Sequence, residues 1–253
     1  MIRFFEYLFM RYKRTWRASF FVSVLNPLLF LVGIGVGLGH LVDKHAPAQI
    51  GGASYAAFFA PGMLAAATMQ TAYLESSGSV VRSAAPAGAY QAAAPTRLSP
   101  TEVMSGHMLY VGFRVLSSSA AFVVVMAAFR LVSVLGAVEV LAAAVLTGLA
   151  FATPTAAWAV GVRLPRQTNT AFRMFIMPMY MFSGSFFAMS QLPVPIRVVV
   201  EALPLAQGVD LCRSLALGTA DLPASLGHVA YLLVLAVGGF VLARITYRRR
   251  LHA

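Results

Sequence analysis

A chain of 253 residues that is 59% hydrophobic and only 11% charged cannot cover a water-facing surface, because soluble domains carry about a quarter charged residues. The net charge of +11 would suggest nucleic acid in a soluble protein. Here the basic residues flank apolar segments, which indicates membrane orientation and contact with anionic lipid, with no nucleic-acid partner. The composition therefore predicts a single all-α polytopic membrane domain over residues 1–253, and the lone Cys212 excludes an internal disulfide.

The N-terminal segment combines an aromatic face with a basic face. At 100° per residue, residues 3–17 place these two classes on opposite sides, which is typical of an interfacial helix lying on the membrane. A first transmembrane span is predicted at about 19–41 and a second at about 55–77. Glu75 lies near the inner end of the second span, where it is either an interfacial carboxylate or part of a polar lining.

The connection that follows is rich in alanine, serine, glycine and proline, and residues 78–102 are predicted to form a loop. Ser99, Pro100 and Glu102 have the spacing of a capping box with proline at the first helical position. This motif predicts the start of a third span at about 103–131.

Two further spans are predicted from apolar runs that contain polar or helix-breaking residues. Arg114, in the third span, either snorkels towards the inner interface or lines a cavity. A fourth span is predicted at about 135–162 and a fifth at about 168–187. The fifth is interrupted by Pro178 and by the step Ser183-Gly184-Ser185.

The segment 188–219 is only moderately apolar and is punctuated by prolines, and the sixth span follows at about 226–245. Irregular backbone at membrane depth persists only where protein or a watery cavity satisfies it. We therefore expect 188–219 to form a re-entrant helical hairpin that acts as an outer gate. The predicted gate residues are Pro178, Ser183, Gly184, Ser185 and Phe187.

The distribution of positive charge predicts the orientation. Six spans place both termini on one side, and fourteen of the 19 lysines and arginines fall on that side, with four on the other and one inside a span. This bias predicts a multi-pass membrane protein with both termini cytoplasmic. The hairpin then faces outward and the loop 78–102 faces the cytoplasm.

The sequence lacks three common motifs of nucleotide-binding proteins and hydrolytic enzymes. There is no Gly-x-x-x-x-Gly-Lys-Ser/Thr phosphate loop, no His-Glu-x-x-His and no Gly-x-Ser-x-Gly. The chain is therefore not expected to be an enzyme, to bind ATP itself or to hold a metal ion. Three functions stay open at this point: a subunit of an ATP-driven exporter, a membrane-embedded enzyme acting on lipid, and a passive channel or scaffold.

Several local motifs occur in the order seen in a known family. They are Arg11-Tyr-Lys-Arg-Thr-Trp16, Asn26-Pro-Leu-Leu-Phe30, Phe59-Ala-Pro-Gly-Met63, Leu98-Ser-Pro-Thr-Glu102, Phe172-Arg-Met-Phe-Ile-Met-Pro178, Met181-Phe-Ser-Gly-Ser-Phe-Phe187, Gln191-Leu-Pro193, Leu203-Pro-Leu205 and Arg213-Ser-Leu-Ala-Leu-Gly218. The chain resembles a permease subunit of the type-2 ABC transporters, close to the daunorubicin-resistance and nodulation-factor exporters. The resemblance covers essentially the whole chain.

The resemblance implies partners that the chain itself lacks. A second permease, identical or different, would pair with this one, and two separate ATPase subunits would bind ATP and Mg²⁺ beneath them. The expected cargo is hydrophobic or amphipathic, a drug or antibiotic, a lipid or a glycolipid, which includes multidrug efflux and antibiotic resistance. The expected ATPase-coupling residues are Arg82, Tyr90, Arg97 and Glu102, and the transport path would include Glu75 and Arg114. The alanine-rich run 84–94 departs from relatives, which carry bulkier and charged residues there.

Overall fold

The computed structural model describes residues 1–38, 54–86, 88–93, 95–96 and 98–251, and all regular structure in these ranges is helical. The helices are α1 (Ile2–Phe30), α2 (Tyr55–Ala84), α3 (Ala89–Ala93), α4 (Pro100–Ala128), α5 (Val134–Ala159), α6 (Pro165–Ala171), α7 (Met177–Phe182), α8 (Val194–Glu201), α9 (Pro204–Leu217) and α10 (Leu222–Leu251). A π-helix, Leu31–Leu38, continues α1, and a π-helical turn, Phe172–Ile176, joins α6 to α7.

Within the described residues, three helices are long and apolar enough to cross a membrane: α4, α5 and α10. The polytopic, all-α class predicted from composition is therefore supported by the helical content and by these three segments. The predicted first, second and fifth spans correspond to α1, α2 and the joined pair α6–α7. Their passage through a membrane stays a prediction.

Two predicted boundaries differ from the structure. The interfacial helix 3–17 and the first span are one continuous helix, because the boundary was drawn on polarity and the Arg17-Ala18-Ser19 step carries nothing that breaks a helix. Residues 39–41 of that span lie outside the described residues. The loop 78–102 is also shorter than predicted, since α2 continues to Ala84 and α3 forms within it.

Serine caps begin three of the long helices. Ser54 accepts a hydrogen bond from the Ala57 amide at 3.3 Å, and Ser133 accepts one from the Gly136 amide at 3.0 Å. Ser99 and Glu102 confirm the predicted capping box: the Glu102 amide donates to the Ser99 hydroxyl at 3.3 Å, and the Ser99 amide donates to the Glu102 carboxylate at 2.9 Å. Each cap satisfies an amide that the first helical turn leaves without a partner.

Helix α5 lies at the centre of the bundle and packs against α2, α4, α9 and α10. Small residues allow the close approach. A Cβ built on Gly148 would lie 2.6 Å from Val115 of α4 and 2.8 Å from Thr68 of α2. On the α10 side, Thr153 donates a hydrogen bond to the Ala236 carbonyl at 2.8 Å.

The contacts define two ends of this bundle. At the first, which we call the loop end, the Met1 amine lies 3.5 Å from Glu102, and the hydroxyl of Tyr90 lies 3.0 Å from that of Tyr247. At the opposite end, the hairpin end, Tyr55 donates to the carbonyl of Phe186 at 3.0 Å. The start of α1 and the end of α10 therefore share the loop end.

Candidate functional site

At the hairpin end, the chain leaves α7 through a tight turn centred on Gly184. This glycine has φ +78°, in the left-handed region that residues with a Cβ adopt only at a cost. The turn brings the carbonyl of Phe186 onto Tyr55, at the start of α2. The predicted interruption of the fifth span is thus a turn packed against α2.

The two serines of this turn are buried and bonded to protein. The hydroxyls of Ser183 and Ser185 lie 3.0 Å apart, and Ser185 donates to the Gly62 carbonyl at 3.3 Å. Gly62 is required by this approach, since a Cβ there would lie 3.0 Å from the Ser185 Cα. Neither serine bonds to a histidine in the described part of the chain. The arrangement is a packing contact and offers no nucleophile with a base.

Arg213 of α9 ties this turn to α2, and sequence reasoning did not select it as a site residue. Its side chain is only 11% exposed. The guanidinium donates to the Gly184 carbonyl at 2.7 Å and to the Phe58 carbonyl at 3.1 Å. It also lies 3.8 Å from the centre of the Phe58 ring and 3.6 Å from the Asp210 carboxylate. We call this group of contacts the Arg213 latch.

The joint between α8 and α9 lies partway along the long helices. Tyr231, nine residues into α10, donates to the Ala202 carbonyl at 2.8 Å. Gly208 packs on Thr147, near the middle of α5, where a Cβ on the glycine would meet the threonine at 2.5 Å. At the other end of α9, the carbonyl of Leu215 faces Gly136 at the start of α5. The joint between α8 and α9 therefore lies further from the hairpin end than the C-terminal end of α9 does.

The remaining predicted gate residues lie on either side of the turn. Pro178 is exposed in the first turn of α7, directly after the π-helical turn Phe172–Ile176. Proline lacks the amide that would close a regular turn, and a wider π-helical turn is a common local adjustment. Phe187 is half-buried beyond the turn. Neither residue contributes a hydrogen bond of its side chain to the Arg213 latch.

Towards the loop end, Glu75 and Arg114 form an ion pair between α2 and α4. The guanidinium Nε donates to the carboxylate at 2.9 Å, and the two side chains are 23% and 11% exposed. Arg114 also lies over the Tyr12 ring of α1, 4.7 Å from its centre. From the sequence, each of these two charged residues was predicted to lie either at the membrane interface or along a polar path. In the structure they pair with each other and together join three helices.

Tyr90 fixes the short helix α3 to the bundle from inside. Its side chain is 2% exposed, and its hydroxyl lies 2.6 Å from His107 Nδ1 on α4 and 3.0 Å from the Tyr247 hydroxyl on α10. Burial holds the pKa of the Tyr90 phenol well above its usual value of about 10. The Phe4 ring of α1 completes the contact. Tyr90 is therefore an internal anchor and not a surface available to a partner.

The other predicted coupling residues behave differently. Arg82 is exposed near the end of α2, and Glu102 is exposed in the first turn of α4. Arg97 lies outside the described residues. The structure therefore does not bring the three described residues, Arg82, Tyr90 and Glu102, into one contact.

A cavity of about 840 Å³ lies between α2 and the α6–α7 segment, which also touch where Tyr73 donates to the Thr168 carbonyl at 2.7 Å. Its walls combine aromatic and aliphatic groups with charged and amide groups, among them Tyr73, Glu75, Arg82, Asn169, Phe172 and Arg173. Pockets of this size accommodate a sizeable part of a small molecule. A mixed lining of this kind suits an amphipathic ligand better than a purely apolar one.

The sequence has relatives among characterised proteins. The model of the ABC-2 type transporter family matches residues 4–217. Nodulation protein J of Rhizobium leguminosarum bv. trifolii is 30% identical over 245 residues, covering 96% of this chain and 90% of that protein. Nodulation protein J of Rhizobium meliloti (strain 1021) is 30% identical over 248 residues, again covering 96% of this chain and 90% of that protein. No solved structure matches.

Proposed function

Because the chain belongs to the ABC-2 type transporter family, we propose that it is the permease subunit of an ATP-driven exporter that moves a hydrophobic or amphipathic compound out of the cell. The observation that carries the proposal is the family match, which extends from α1 to the end of α9. Relatives of about 30% identity named Nodulation protein J support a role other than drug resistance. Of the predicted cargo classes we therefore keep an amphipathic lipid or glycolipid, which also suits the mixed lining of the 840 Å³ cavity.

The permease would work as a pair above two ATPase subunits that bind ATP and Mg²⁺. Apolar side chains on the outer surface of the α6–α7 segment support a contact with the second permease. Met174 and Phe175 are each 66% exposed, and Met181 is 58% exposed. The path for cargo would run between the two copies, beside the α2 and α6–α7 walls of the cavity.

We place the loop end in the cytoplasm of a bacterial plasma membrane and the hairpin end outside, with six passes. The location of the start of α1 and the end of α10 at the same end supports an even number of crossings. The depth of the α8–α9 joint relative to the C-terminal end of α9 supports a re-entrant hairpin. Such a hairpin is tolerated at membrane depth because α5 and α10 pack around it.

Coupling would begin at α3. A push from the ATPase on the exposed residues beside this helix would reach α4 through His107 and α10 through Tyr247, because Tyr90 bonds to both. Tyr90 is thus a positioning residue, while Glu102 and the predicted Arg97 remain the proposed ATPase-facing groups, and Arg82 borders a cavity at the same end. Movement of α4 would also reach α2 through the pair of Arg114 and Glu75.

Opening would end at the Arg213 latch. The guanidinium holds the turn at Gly184 against α2, so the hairpin cannot separate from α2 while both carbonyl contacts remain. Cargo would leave when tilting of the long helices breaks these contacts. The alternation between closed and open states is a shift between two populations driven by ATP binding.

Reconstitution with a candidate ATPase subunit tests the proposal. Proteoliposomes would contain the permease alone, the ATPase alone, or both, together with a fluorescent lipid-linked oligosaccharide as a cargo probe. We expect ATP-dependent movement of the probe only with both subunits, and none when Mg²⁺ is omitted. Conductance without nucleotide would instead favour a passive channel. Chemical turnover of the lipid by the permease alone, lost on replacing Ser183 or Ser185, would favour an enzyme.

A further inference from the structure

A second cavity lies at the loop end, where three long helices finish. Helix α2 ends at Ala84, α5 at Ala159 and α10 at Leu251, and residues close to all three ends enclose about 820 Å³. This cavity is distinct from the one beside Glu75, although Arg82 and Pro165 border both.

The charge of this second cavity is uniformly positive. Arg82, Arg163 and Arg250 are among the twelve residues that line it, and none of the twelve is acidic. In the part of the chain that the structure describes, the three guanidinium groups have no hydrogen-bond or ion-pair partner, and all three residues are exposed. The free carbonyls at helix C-termini favour nearby cations, but they do not supply a full negative charge.

The rest of the lining is apolar. Val81, Val160, Val162 and Leu251 form part of the wall, so an occupant would meet guanidinium groups and aliphatic groups together. A free phosphate ester would contact only the guanidinium groups. A lipid whose phosphate faces the arginines and whose glycerol and first methylenes contact the aliphatic wall would satisfy both.

We propose that the cavity lined by Arg82, Arg163 and Arg250 is a binding site for the phosphate head group of an anionic phospholipid of the inner leaflet. The inference rests on the cytoplasmic placement of the loop end in the proposed function. Basic pockets between helix ends on this side of a membrane suit such head groups, and each basic residue near the surface strengthens the attraction. The bound lipid would connect the ends of α2, α5 and α10.

The test compares arginines inside the cavity with arginines beside it. Arg163→Gln and Arg250→Gln, singly and together, remove charge from the lining. Arg166→Gln and Arg249→Gln are matched controls, because both residues are exposed and lie outside the lining. Arg163→Glu reverses the charge at an exposed position after the end of α5, where the fold does not depend on the side chain. Native mass spectrometry of each purified variant with dioleoyl phosphatidylglycerol or dioleoyl phosphatidylcholine measures retained lipid.

We expect each cavity variant to lose about fivefold in affinity for phosphatidylglycerol, the double variant about 25-fold and Arg163→Glu at least as much as the double variant. The controls should change less than twofold, and phosphatidylcholine binding should not depend on these residues. Equal losses in controls and cavity variants would show general surface attraction and overturn the site. Equally tight binding of soluble glycerol phosphate would overturn the choice of a lipid.

A third outcome separates this site from the transport proposal. If the cavity variants retain lipid normally but no longer bind the ATPase subunit, the cavity receives a protein partner and the lipid proposal is wrong. The lipid measurement needs neither nucleotide nor cargo. A failure of ATP-driven transport with normal charge-dependent lipid retention would therefore count against the proposed function alone.

Discussion

Replacing Arg213 with methionine should loosen the hairpin end by a predictable amount. The substitution keeps much of the side-chain volume but removes donors to the Gly184 and Phe58 carbonyls, at 2.7 and 3.1 Å. Hydrogen bonds from a charged donor contribute about 1.5–3 kcal/mol each. The lower value applies here, since the carbonyl of Phe58 lies within a helix that provides it with another donor. The total is about 3 kcal/mol, which raises the population of the open hairpin by about a hundredfold.

The only cysteine of the chain reports this opening directly. Cys212 is fully buried beside Arg213, so a water-soluble maleimide reaches it only when α9 moves away from its neighbours. If opening is fast compared with labelling, the labelling rate follows the open population. We expect Arg213→Met to accelerate labelling of Cys212 by about a hundredfold. Arg213→Lys should give an intermediate rate, because one ammonium group cannot reproduce the fork of a guanidinium.

Arg197→Met is the matched control. Arg197 lies on the neighbouring helix α8 and pairs with Glu201 at 2.6 Å, but the two side chains are 47% and 41% exposed. Exposed pairs of this kind contribute less than about 1 kcal/mol, so labelling should change no more than about fivefold. A thermal melt shows whether each variant remains folded at the labelling temperature. A folded Arg213→Met protein that labels at the wild-type rate would refute the latch.

Three further predictions concern single residues. Tyr90→Phe leaves His107 and Tyr247 without their partner and should lower the free energy of unfolding by about 1–3 kcal/mol, measured by thermal melting in detergent. Burial raises the pKa of Tyr90 in the folded chain above its value in the unfolded chain. The contribution of Tyr90 to the free energy of unfolding is therefore complete below pH 10 and is lost as the pH rises through the raised pKa. Above pH 10 the wild type should lose more stability than Tyr90→Phe. Glu102→Ala removes half of the capping box and should lower the free energy of unfolding by about 0.5–2 kcal/mol. It should also uncouple ATP hydrolysis from export, and unchanged coupling would count against the loop-end assignment. Gly184→Ala forces a Cβ into the left-handed region at φ +78° and should cost about 1–2 kcal/mol in the same melting assay, a loss that an unchanged midpoint would disprove.

Features set by neighbouring residues were predictable from the sequence. The capping box at Ser99 depends on a partner three residues away, and its geometry was confirmed. The interruption of the fifth span was likewise visible, because a glycine between two serines after an apolar run indicates a turn. The family resemblance was also confirmed, since it depends on the order of such local motifs along the chain.

Features set by distant residues were not predictable in the same way. Tyr90 was predicted to be an ATPase-coupling residue, but its burial was not predictable, because it depends on partners 17 and 157 residues away. Arg213 was counted only as a charge in the hairpin, although the carbonyls that it binds are 29 and 155 residues away. An arginine three residues after Asp210 in a mostly apolar helix was the available signal. The continuity of α1 was missed because a change in polarity does not require a break in a helix.

The most direct test of ATP-driven opening measures Cys212 labelling in the assembled transporter. The permease is reconstituted with or without its ATPase subunit, and labelling is followed with and without ATP and Mg²⁺. We predict that ATP accelerates labelling only when the ATPase is present, because in the proposed mechanism a force applied at the loop end opens the hairpin end. A labelling rate that ignores ATP while the complex hydrolyses it, or that responds to ATP without the ATPase, would contradict the proposed coupling.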